Sequence, residues 1–540
     1  MHEIEQNPYG PAGSGTDAPD VLTLVRRACA KAPDLAAIRF EDGVELSRAE
    51  LLRGIAEFGG YLRDRVQPGD RVAAMMTNRA EFWIVWLATV ANGASLVTLN
   101  PVAGVDDAGH VLRDSGATVV VVDAGCRSLA EELRPSCPEF QEIVELLPAE
   151  PRGLEGFVSP NGDLDLVEVR VEPDAITNVY YTSGTTGPPK GCMLAHDYWI
   201  RFVDLYRRLY GMSSDDRMLC CLQFFYGDSP WQFLTSLEAG TTLIAMRRFS
   251  VSRFWPLVRR ERVTQIFGLA SIPTLLLRAP ADPQDRNHDV RFALQVGVPT
   301  ALHQQLEERW GFPWLEAYGL TETGLVVSML PDVGAHMTGS GSIGLPCPEV
   351  TVRVIDDDGD DVADGQPGEL VVRAPGMFRA YLARPAESAE TLRDGWLRTG
   401  DLATRDERGF LYFRGRSKDI IRRSGENVSA AEVEAVLRSH HLVLEVAVVP
   451  VPDELRGEEI KAYLLLVDGY DEKDLPPEEV IALCVERLAP HKTPRYLEYR
   501  HEPFPVTPSM RVRKQDLLTE RGDLTVGAWD REGQAQEEGR

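Results

Sequence analysis

The sequence predicts an α/β protein with a large N-terminal domain of two doubly wound sheets plus a small β-barrel, followed by a small mobile α+β C-terminal domain. Three observations support this prediction. Apolar β-branched runs alternate with helical segments before Gly339, short strands separated by turn residues follow it, and a second α/β unit begins beyond Arg416. Alternating helices and strands are typical of parallel sheets with helices on both faces.

The first sheet is predicted from two amphipathic or apolar helices and three strands. Residues 48–63 and 81–91 have helical patterns, and residues 71–76, 95–99 and 117–122 have the pattern of buried strands. The last of these, ATVVVV, is a continuous β-branched run, which is typical of a strand covered on both faces. Helices between such strands imply a doubly wound parallel sheet.

A second sheet is predicted to follow the first along the chain. After Ala175, strands are expected at residues 178–182, 241–246 and 265–268, with a helix at residues 198–210. The same alternation of strand-like and helix-like segments therefore occurs twice, and we expect two α/β sheets in succession.

Closely spaced strands with turns between them predict an antiparallel, barrel-like unit after Gly339. These strands are residues 350–355, 369–374 and 409–414, with an acidic turn at residues 356–359. Beyond Arg416 the pattern returns to α/β. Its predicted elements are a helix at 430–439, strands at 445–451 and 460–467, and a helix at 477–488.

These patterns divide the chain into four segments. They are a polar N-terminal segment (1–19), a large domain (20–416), a small lid domain (417–520) and a polar tail (521–540). The tail is expected to be disordered because it is polar and terminal.

Composition excludes several classes of partner. The 540 residues carry 57 Lys+Arg and 83 Asp+Glu, a formal net charge of −26. This excess of acid argues against DNA, RNA or an anionic membrane as the main partner, since all three are polyanions. No apolar run approaches the roughly 20 residues of a membrane span, and the N-terminus lacks the apolar stretch of a signal peptide, so we expect a cytoplasmic protein.

The 8 cysteines are scattered without a C-x-x-C pair. This spacing suits neither a disulfide framework nor a zinc site, and we expect reduced, mostly buried thiols.

Residues 180–191 (YYTSGTTGPPKG) form the most informative segment. Glycines allow backbone N–H groups to turn toward an anion, hydroxyls add donors and a lysine adds a point charge, so the segment predicts a phosphate-binding loop. It is not a Walker loop, because the chain contains no Gly-Lys pair. Residues 339–344 (GSGSIG) match a dinucleotide motif, but a strand rather than a helix follows, which argues against NAD.

The phosphate loop, with residues 193–196 (MLAH) behind it, resembles that of the adenylate-forming enzymes: acyl-CoA synthetases, luciferases and peptide-synthetase adenylation domains. Further matching motifs follow in family order, so that the resemblance covers about residues 20–515. They are residues 318–323 (YGLTET), 396–401 (WLRTGD) and 415–419 (GRSKD), with 425–427 (GEN) and 432–434 (EVE).

The resemblance implies ATP, Mg²⁺ and CoA as ligands, and a role for each matched residue. Tyr318 is expected near adenine, Asp401 at the ribose, and Arg416 at the ribose or the phosphates. Glu322 is expected at Mg²⁺ and Thr323 at the α-phosphate. Lys418 corresponds to the hinge of the small domain. The residues implied to grip the β- and γ-phosphates are Thr182, Ser183, Gly184, Thr185, Thr186, Gly187 and Lys190.

The resemblance also implies an AMP-forming ligase with two half-reactions. A carboxylate attacks the α-phosphate of ATP and releases pyrophosphate, and a thiol, usually that of CoA, then displaces AMP after the small domain rotates. The substrate is expected to be a small polar or aromatic carboxylic acid. A basic cluster near the expected thiol entry comprises Arg414, Arg416, Lys418, Arg422 and Arg423.

Two departures from the family pattern affect the catalytic lysine and the acid pocket. Arg511 stands where the family has its catalytic lysine, and Lys514 could substitute for it. The segment from Phe224 onward, with residues 250–255 (SVSRFW), resembles the carnitine/crotonobetaine-CoA ligase branch. The pocket is expected to include Tyr226, Asp228, Trp231, Gly297, Pro299 and Gly324.

Several alternatives remain open at this level. Asp228 either binds a cationic, amino or hydroxyl-bearing substrate or caps a helix beginning at Ser229. The activated group could be nitrite, joined to an aromatic amine in secondary metabolism, or the acceptor could be a carrier-protein thiol. A non-catalytic nucleotide-binding protein is a further alternative. The sequence does not determine the oligomeric state.

Overall fold

The α/β class is confirmed. The structure is a computed structural model that describes residues 15–148, 150–172, 174–182, 188–269, 272–334, 336–424, 426–506 and 512–533. Among these residues, none of the helices combines the length and the apolar character needed to cross a bilayer.

The N-terminal part alternates helices and strands as the sequence predicts. Helix α2 shows why: Ser47 Oγ accepts the Glu50 N–H at 3.2 Å and Glu50 Oε2 accepts the Ser47 N–H at 2.9 Å, which is a capping box. The elements are α1 (Val21–Lys31), β1 (Ala36–Phe40), β2 (Glu45–Ser47), α2 (Arg48–Arg63), β3 (Arg71–Met75), α3 (Glu81–Ala91), β4 (Ser95–Leu99), α4 (Val105–Ser115), β5 (Val119–Val122), α5 (Arg127–Leu133) and β6 (Glu142–Glu145).

The central part contains the longest run of parallel strands. Its helices α6, α7 and α10 each end at a glycine in the left-handed region, as helix C-termini commonly do. The elements are β7 (Ile176–Thr182), β8 (Lys190–Ala195), α6 (His196–Tyr210), β9 (Met218–Cys220), α7 (Asp228–Ala239), β10 (Leu243–Ala245), α8 (Val251–Arg260), β11 (Gln265–Leu269), α9 (Ile272–Arg278), β12 (Phe292–Val296), α10 (His303–Trp310), β13 (Trp314–Leu320), β14 (Gly324–Ser328), α11 (Pro331–Gly334) and β15 (Leu345–Pro346).

The last part contains two antiparallel-rich units. The elements are β16 (Thr351–Ile355), β17 (Gly368–Arg373), α12 (Pro385–Thr391), β18 (Leu392–Arg393), β19 (Trp396–Arg405), β20 (Leu411–Arg416), β21 (Ile420–Arg423), β22 (Glu426–Ser429), α13 (Ala430–Arg438), β23 (Val443–Asp453), β24 (Gly457–Leu466), α14 (Pro477–Arg487), β25 (Tyr496–Arg500), α15 (Lys514–Thr519) and β26 (Trp529–Asp530).

The two large sheets interleave along the chain, so the prediction that one follows the other was wrong. The first sheet has the order β6-β5-β3-β4-β7-β8 and the second the order β15-β14-β13-β12-β11-β9-β10-β1-β2. Strands β1 and β2 therefore leave the N-terminal region to join the second sheet, where Ile38 pairs in parallel with Leu243. Strands β7 and β8 complete the first sheet instead.

Helix α3 explains why the two sheets form one body. Every residue of α3 is buried, and its aromatic side chains meet helices on the other sheet. Trp83 stacks on Phe233 of α7 with centroids 4.1 Å apart, and Trp86 meets Trp199 of α6 edge to face at 5.8 Å. A helix buried on all sides is expected to be apolar, and this one is apolar apart from Glu81 and Thr89.

An antiparallel sheet occupies the place of the predicted barrel. Its order is β16-β17-β19-β18, with β20 paired to β19. In that pairing Asp401 lies opposite Arg416, the last residue before the predicted hinge. This sheet therefore connects the body of the protein to the small domain.

The small domain extends beyond its predicted end at residue 520, and the prediction of a disordered tail from residue 521 was wrong for residues 521–533. Strand β26 pairs antiparallel with β25. Arg495 donates to both carboxylate oxygens of Asp530 at 3.0 and 3.1 Å. Leu524 is buried, and its carbonyl accepts the Lys461 ammonium at 2.5 Å. The polar composition concealed these few anchoring contacts. Residues 534–540 lie outside the described part.

The cysteines behave as predicted. All eight are free and buried. Burial raises the pKa of several of these thiols, including Cys29, Cys220 and Cys347, which keeps them protonated and unreactive.

Glu459 is the buried carboxylate on which we expect the small domain to depend. It lies 2.8 Å from Arg423 Nε and 2.6 Å from Arg456 Nη1, and its side chain is 0% exposed. The substitution Glu459→Ala leaves Arg423 buried without a counter-charge, so we expect the free energy of opening β24 to fall by about 3–5 kcal/mol. Amide hydrogen exchange of β23 and β24 measures this. The exposed Glu454→Ala is the control, and equal protection in both variants would contradict the prediction.

Candidate active site

Three predicted nucleotide residues meet in one buried network. The Tyr318 hydroxyl donates to Asp401 Oδ2 at 2.7 Å, and Arg416 Nε lies 3.1 Å from Asp401 Oδ1. Asp401 is 2% exposed. The three side chains come from β13, β19 and β20, so two sheets converge here. Burial, followed by the nearby Asp401 carboxylate, raises the pKa of Tyr318 well above its usual value, so the phenol remains a donor.

The ends of the predicted phosphate loop are defined by a hairpin. Thr182 and Lys190 are paired residues of β7 and β8. Between them, Ser183, Gly184, Thr185, Thr186 and Gly187 lie outside the described residues. The Lys190 ammonium forms an ion pair with Glu387 of α12 and lies 5.3 Å from the centre of the Tyr381 ring.

A helix of the first sheet contacts the same hairpin. His110 Nε2 on α4 donates to the Pro189 carbonyl at 2.8 Å. The Tyr181 hydroxyl donates to Asp114, also on α4, at 2.9 Å. Helix α4 therefore fixes both strands on either side of the loop.

Glu322 was predicted to hold Mg²⁺; it is partly exposed and, like Lys190, contacts Tyr381. Its Oε1 accepts the Tyr381 hydroxyl at 2.7 Å. Among the described residues, no three His, Cys, Asp or Glu side chains are grouped to hold a metal ion. A single carboxylate fits Mg²⁺, which takes most of its ligands from phosphate oxygens and water in nucleotide sites. The chemistry of the donor therefore suits the ion.

Thr323 lies in a tight turn and differs from its expected orientation. Its side chain is fully buried, its hydroxyl donates to the Gly324 carbonyl at 3.0 Å, and it accepts the Leu320 N–H at 3.1 Å. Arg201, which sequence reasoning missed, donates to the Thr323 carbonyl at 3.3 Å. The hydroxyl thus stabilises the turn that presents Glu322 rather than facing the cleft.

The predicted acid pocket divides into lining and filling residues. Gly324 leaves space beside two rings: a Cβ there would lie 3.3 Å from Phe202 and 3.5 Å from Tyr198. Trp231 is 1% exposed and stacks on Phe202 with centroids 4.7 Å apart. Trp231 therefore fills the interior behind Phe202, and its predicted contact with the acid stays a prediction.

Asp228 and Tyr226 lie at the start of α7 and are partly exposed. The helix begins at Asp228 with Gly227 as its N-cap and without a side-chain cap bond, so the expectation that Asp228 caps a helix starting at Ser229 was wrong. Burial, with a contribution from the Asp228 carboxylate, raises the pKa of Tyr180. The Asp228 carboxylate therefore lies close to Tyr180. Burial raises the pKa of Tyr198 as well, and the same carboxylate contributes to that shift.

Glu316 holds the loop that contains Gly297 and Pro299. The N–H groups of Gly297 and Val298 each donate to its carboxylate at 2.6 Å. Burial raises the pKa of Glu316 to about 8, against the two backbone hydrogen bonds, which act in the opposite direction. Gly297 is exposed and Pro299 is half-buried, so the loop borders the cleft.

The predicted residues of the small domain lie in different settings. Lys418 is exposed between β20 and β21, where the small domain begins. Arg511 lies outside the described residues. Lys514 Nζ is 2.7 Å from Glu434 and 3.7 Å from Asp419, so it is bound within the small domain and near the hinge. Arg513 Nη1 lies 3.8 Å from Asp107 at the start of α4.

A second, strongly charged cavity of about 650 Å³ opens beside the acid pocket. Asn78 joins the two, because its amide donates to the carbonyls of Leu222 and Met246 at 2.8 Å and accepts the Phe224 N–H at 2.7 Å. Arg247 pairs with Glu150 and Asp42, and Arg253 pairs with Glu41. The lining residues are Thr77, Asn78, Glu150, Arg247, Arg248, Phe249, Ser250 and Arg253.

Arg248 and Arg253 are both exposed arginines of this cavity. Within the part of the chain that the structure describes, Arg248 has no acidic partner, in contrast to Arg247 and Arg253. The basic cluster that the sequence suggested near the hinge is weaker than expected, because Arg423 is buried against Glu459.

Comparisons with known proteins agree with this geometry. A family model described as AMP-binding enzyme matches residues 25–382, and its C-terminal domain model matches residues 432–510. Feruloyl-CoA synthase from Amycolatopsis sp. is 34% identical over 508 residues, covering 91% of this chain and 97% of that protein. Crotonobetaine/carnitine–CoA ligase from Citrobacter koseri is 30% identical, covering 85% and 90%.

The solved structures give the same result. The o-succinylbenzoate CoA synthetase from Bacillus subtilis, in complex with its acyl-adenylate intermediate, superposes with a TM-score of 0.80 at 27% identity. The match covers 92% of this chain and 97% of that chain.

The fold and the Tyr318–Asp401–Arg416 network, with these matches, define an AMP-forming ligase that activates a carboxylic acid as its acyl-adenylate and transfers the acyl group to CoA. It uses ATP and Mg²⁺ for the first step. The chain belongs to the AMP-binding enzyme family.

The raised pKa of Glu316 predicts a stability that falls with pH. The unfolded chain loses this proton near pH 4.5, whereas the folded chain keeps it until about pH 8. Rising pH over that interval therefore favours the unfolded state. We expect the melting temperature of the parent, relative to Glu316→Gln, to decrease steadily from pH 5 to pH 8 in thermal unfolding scans. Parallel curves for the two proteins would contradict the prediction.

Proposed function

We propose that the protein is a cytoplasmic CoA ligase for a small aromatic or polar carboxylic acid, with the residue roles given below. The observation that carries this proposal is the convergence of the Tyr318–Asp401–Arg416 network, Lys190 and a short aromatic pocket at one end of the two large sheets. Eight buried thiols without a disulfide support a reducing compartment.

The proposed nucleotide site uses the buried network at one end and the hairpin at the other. Asp401 accepts the ribose hydroxyls, Arg416 contacts the ribose or phosphates, and Tyr318 borders the adenine. Lys190 and Thr182 contact the β- and γ-phosphates together with residues 183–187. Glu322, aligned by the Tyr381 hydroxyl, is the proposed carboxylate ligand of Mg²⁺. Mg²⁺ would supply neutralisation of phosphate charge.

The proposed acid site is short because aromatic side chains close its interior end. Phe202 borders Gly324, and the fully buried Trp231 fills the volume behind it. A long alkyl chain would have to displace this stack, whereas a small ring or a short polar acid would not. Gly297, Pro299, Tyr226 and Asp228 form the remaining borders in this proposal.

Arg511 is the proposed cation at the reacting carboxylate and α-phosphate. The alternative, Lys514, is bound by Glu434 at 2.7 Å inside the small domain, which disfavours it. The position of Arg513 near Asp107 on α4 supports Arg511, since α4 also contacts the phosphate hairpin through His110.

The charged cavity beside the acid pocket is the proposed site for the anionic part of CoA. Its volume of about 650 Å³ suits a nucleotide-sized group, and Arg248 presents an exposed cation to it. Asn78 is hydrogen-bonded to residues 222–224, which precede Tyr226 and Asp228 of the acid pocket, so the cavity and the pocket are adjacent in this proposal.

The function is tested with a panel of acids, ATP and CoA. We expect pyrophosphate release and a CoA thioester with benzoates, cinnamates or short polar acids, and a kcat/KM at least about tenfold lower with palmitate, because the aromatic stack excludes long chains. Trp231→Ala is expected to reduce the difference in kcat/KM between small acids and palmitate, since the substitution opens space behind Phe202. Thioesters are measured by mass spectrometry.

Two outcomes would contradict this function. Formation of AMP that requires nitrite and an aromatic amine, with no thioester from any acid, would indicate the diazo-forming alternative. Adenylation of an acid, followed by transfer only to a carrier-protein thiol, would support the proposed first half-reaction and would show that CoA is not the acceptor.

The CoA site is tested by Arg248→Ala. Loss of an exposed cation–phosphate contact is worth up to about 1 kcal/mol, so we expect the KM for CoA to rise up to about fivefold. The KM for pantetheine, which lacks the nucleotide, is expected to stay unchanged. Arg260→Ala, at the far end of α8, is the matched control. A rise in the KM for CoA with Arg422→Ala but not with Arg248→Ala would instead favour entry beside the hinge.

A further inference from the structure

Helix α12 places a carboxylate against the lysine of the phosphate hairpin. Glu387 forms an ion pair with the Lys190 ammonium, and its other oxygen lies 3.6 Å from Arg384 Nε. Arg384 is itself bound to Asp114 of α4 at 2.6 Å. Lys190 therefore has an anionic partner within the chain.

The segment before α12 contacts the neighbouring charged group as well. Tyr381 donates its hydroxyl to Glu322 at 2.7 Å, and its ring lies below the Lys190 ammonium at 5.3 Å. Tyr381 is buried, and its backbone N–H donates to Ser388 Oγ of α12 at 2.9 Å. Helix α12 is thus held in a fixed position relative to Lys190, and the Glu387 contact is part of an ordered arrangement.

The pair is accessible to a competing anion. The side chains of Lys190 and Glu387 are 28% and 38% exposed, so water reaches both. An ion pair at this exposure contributes little to stability, and a ligand phosphate with a higher charge can replace the carboxylate. In contrast, the Arg423–Glu459 pair of the small domain is 7% and 0% exposed and is not open to such exchange.

We propose that Glu387 occupies the position of a terminal phosphate in the nucleotide-free enzyme, and that ATP and pyrophosphate displace it from Lys190. This inference rests on the proposed role of Lys190 at the β- and γ-phosphates. AMP has neither phosphate and leaves the pair intact. Glu387 therefore lowers the affinity of the enzyme for ATP and pyrophosphate but not for AMP. Its return to Lys190 after adenylate formation opposes rebinding of pyrophosphate.

The test measures equilibrium binding to the full-length Glu387→Gln variant by calorimetry, with ATP, pyrophosphate and AMP as probes. Glutamine keeps the size of the side chain and removes its charge. We expect Kd for ATP and for pyrophosphate to fall about two- to fivefold, and Kd for AMP to stay unchanged. The control is Glu390→Gln, an exposed residue of the same helix, which is expected to change none of the three.

The other outcomes overturn the inference. Unchanged binding of ATP and pyrophosphate in Glu387→Gln and Glu387→Ala, with unchanged melting temperatures, would mean that the carboxylate does not compete. Weaker ATP binding that appears only with Mg²⁺ would make Glu387 a metal ligand instead. Absence of ATP binding by the parent itself would refute the proposed function, and this result is distinct from either of the others.

Discussion

The structure depends most on one buried carboxylate, that of Asp401. It receives the hydroxyl of Tyr318 from the second sheet and the guanidinium of Arg416 from β20, and it is nearly inaccessible to water. A carboxylate in that position is costly unless it is paired and hydrogen-bonded, so the two sheets must meet at this point for the charge to be tolerated. The proposed nucleotide site and the junction of the second sheet with the antiparallel sheet are therefore the same place.

The position of this network also links binding to the small domain. Arg416 ends β20, and Lys418 follows it between the two domains. Ser429 of the small domain donates to the Arg414 carbonyl at 2.7 Å, close to the same strand end. The rotation about Lys418 that the family resemblance implies would break that bond while leaving the Tyr318–Asp401 bond intact. The large domain would then keep its proposed nucleotide contacts when the small domain changes orientation.

The sequence was sufficient for the parts of the fold that depend on local patterns. The bounds of α2 and α3 followed from an amphipathic and an apolar helical pattern. The sequence did not predict that β1 joins the second sheet and β7 the first, because strand pairs such as Ile38 with Leu243 join residues far apart in the chain. The same limit applies to the site: motifs identified Asp401 and Lys190, but no local pattern indicates that Glu387 and Tyr381 would contact Lys190 and Glu322.

The network explains how a chain with a net charge of −26 binds a polyanion such as ATP. Three cations of the proposed site and the small domain are paired with carboxylates, and the three pairs differ in their exposure to water. Arg423–Glu459 is buried and structural, Arg416–Asp401 has one buried partner, and Lys190–Glu387 is open to water. Net charge sets the field far from the surface, whereas an exchange of partners at one exposed ion pair is a local event. If Glu387 yields to phosphate as proposed, affinity for phosphate depends on this one exposed pair, and the acidity of the chain as a whole has little bearing on it.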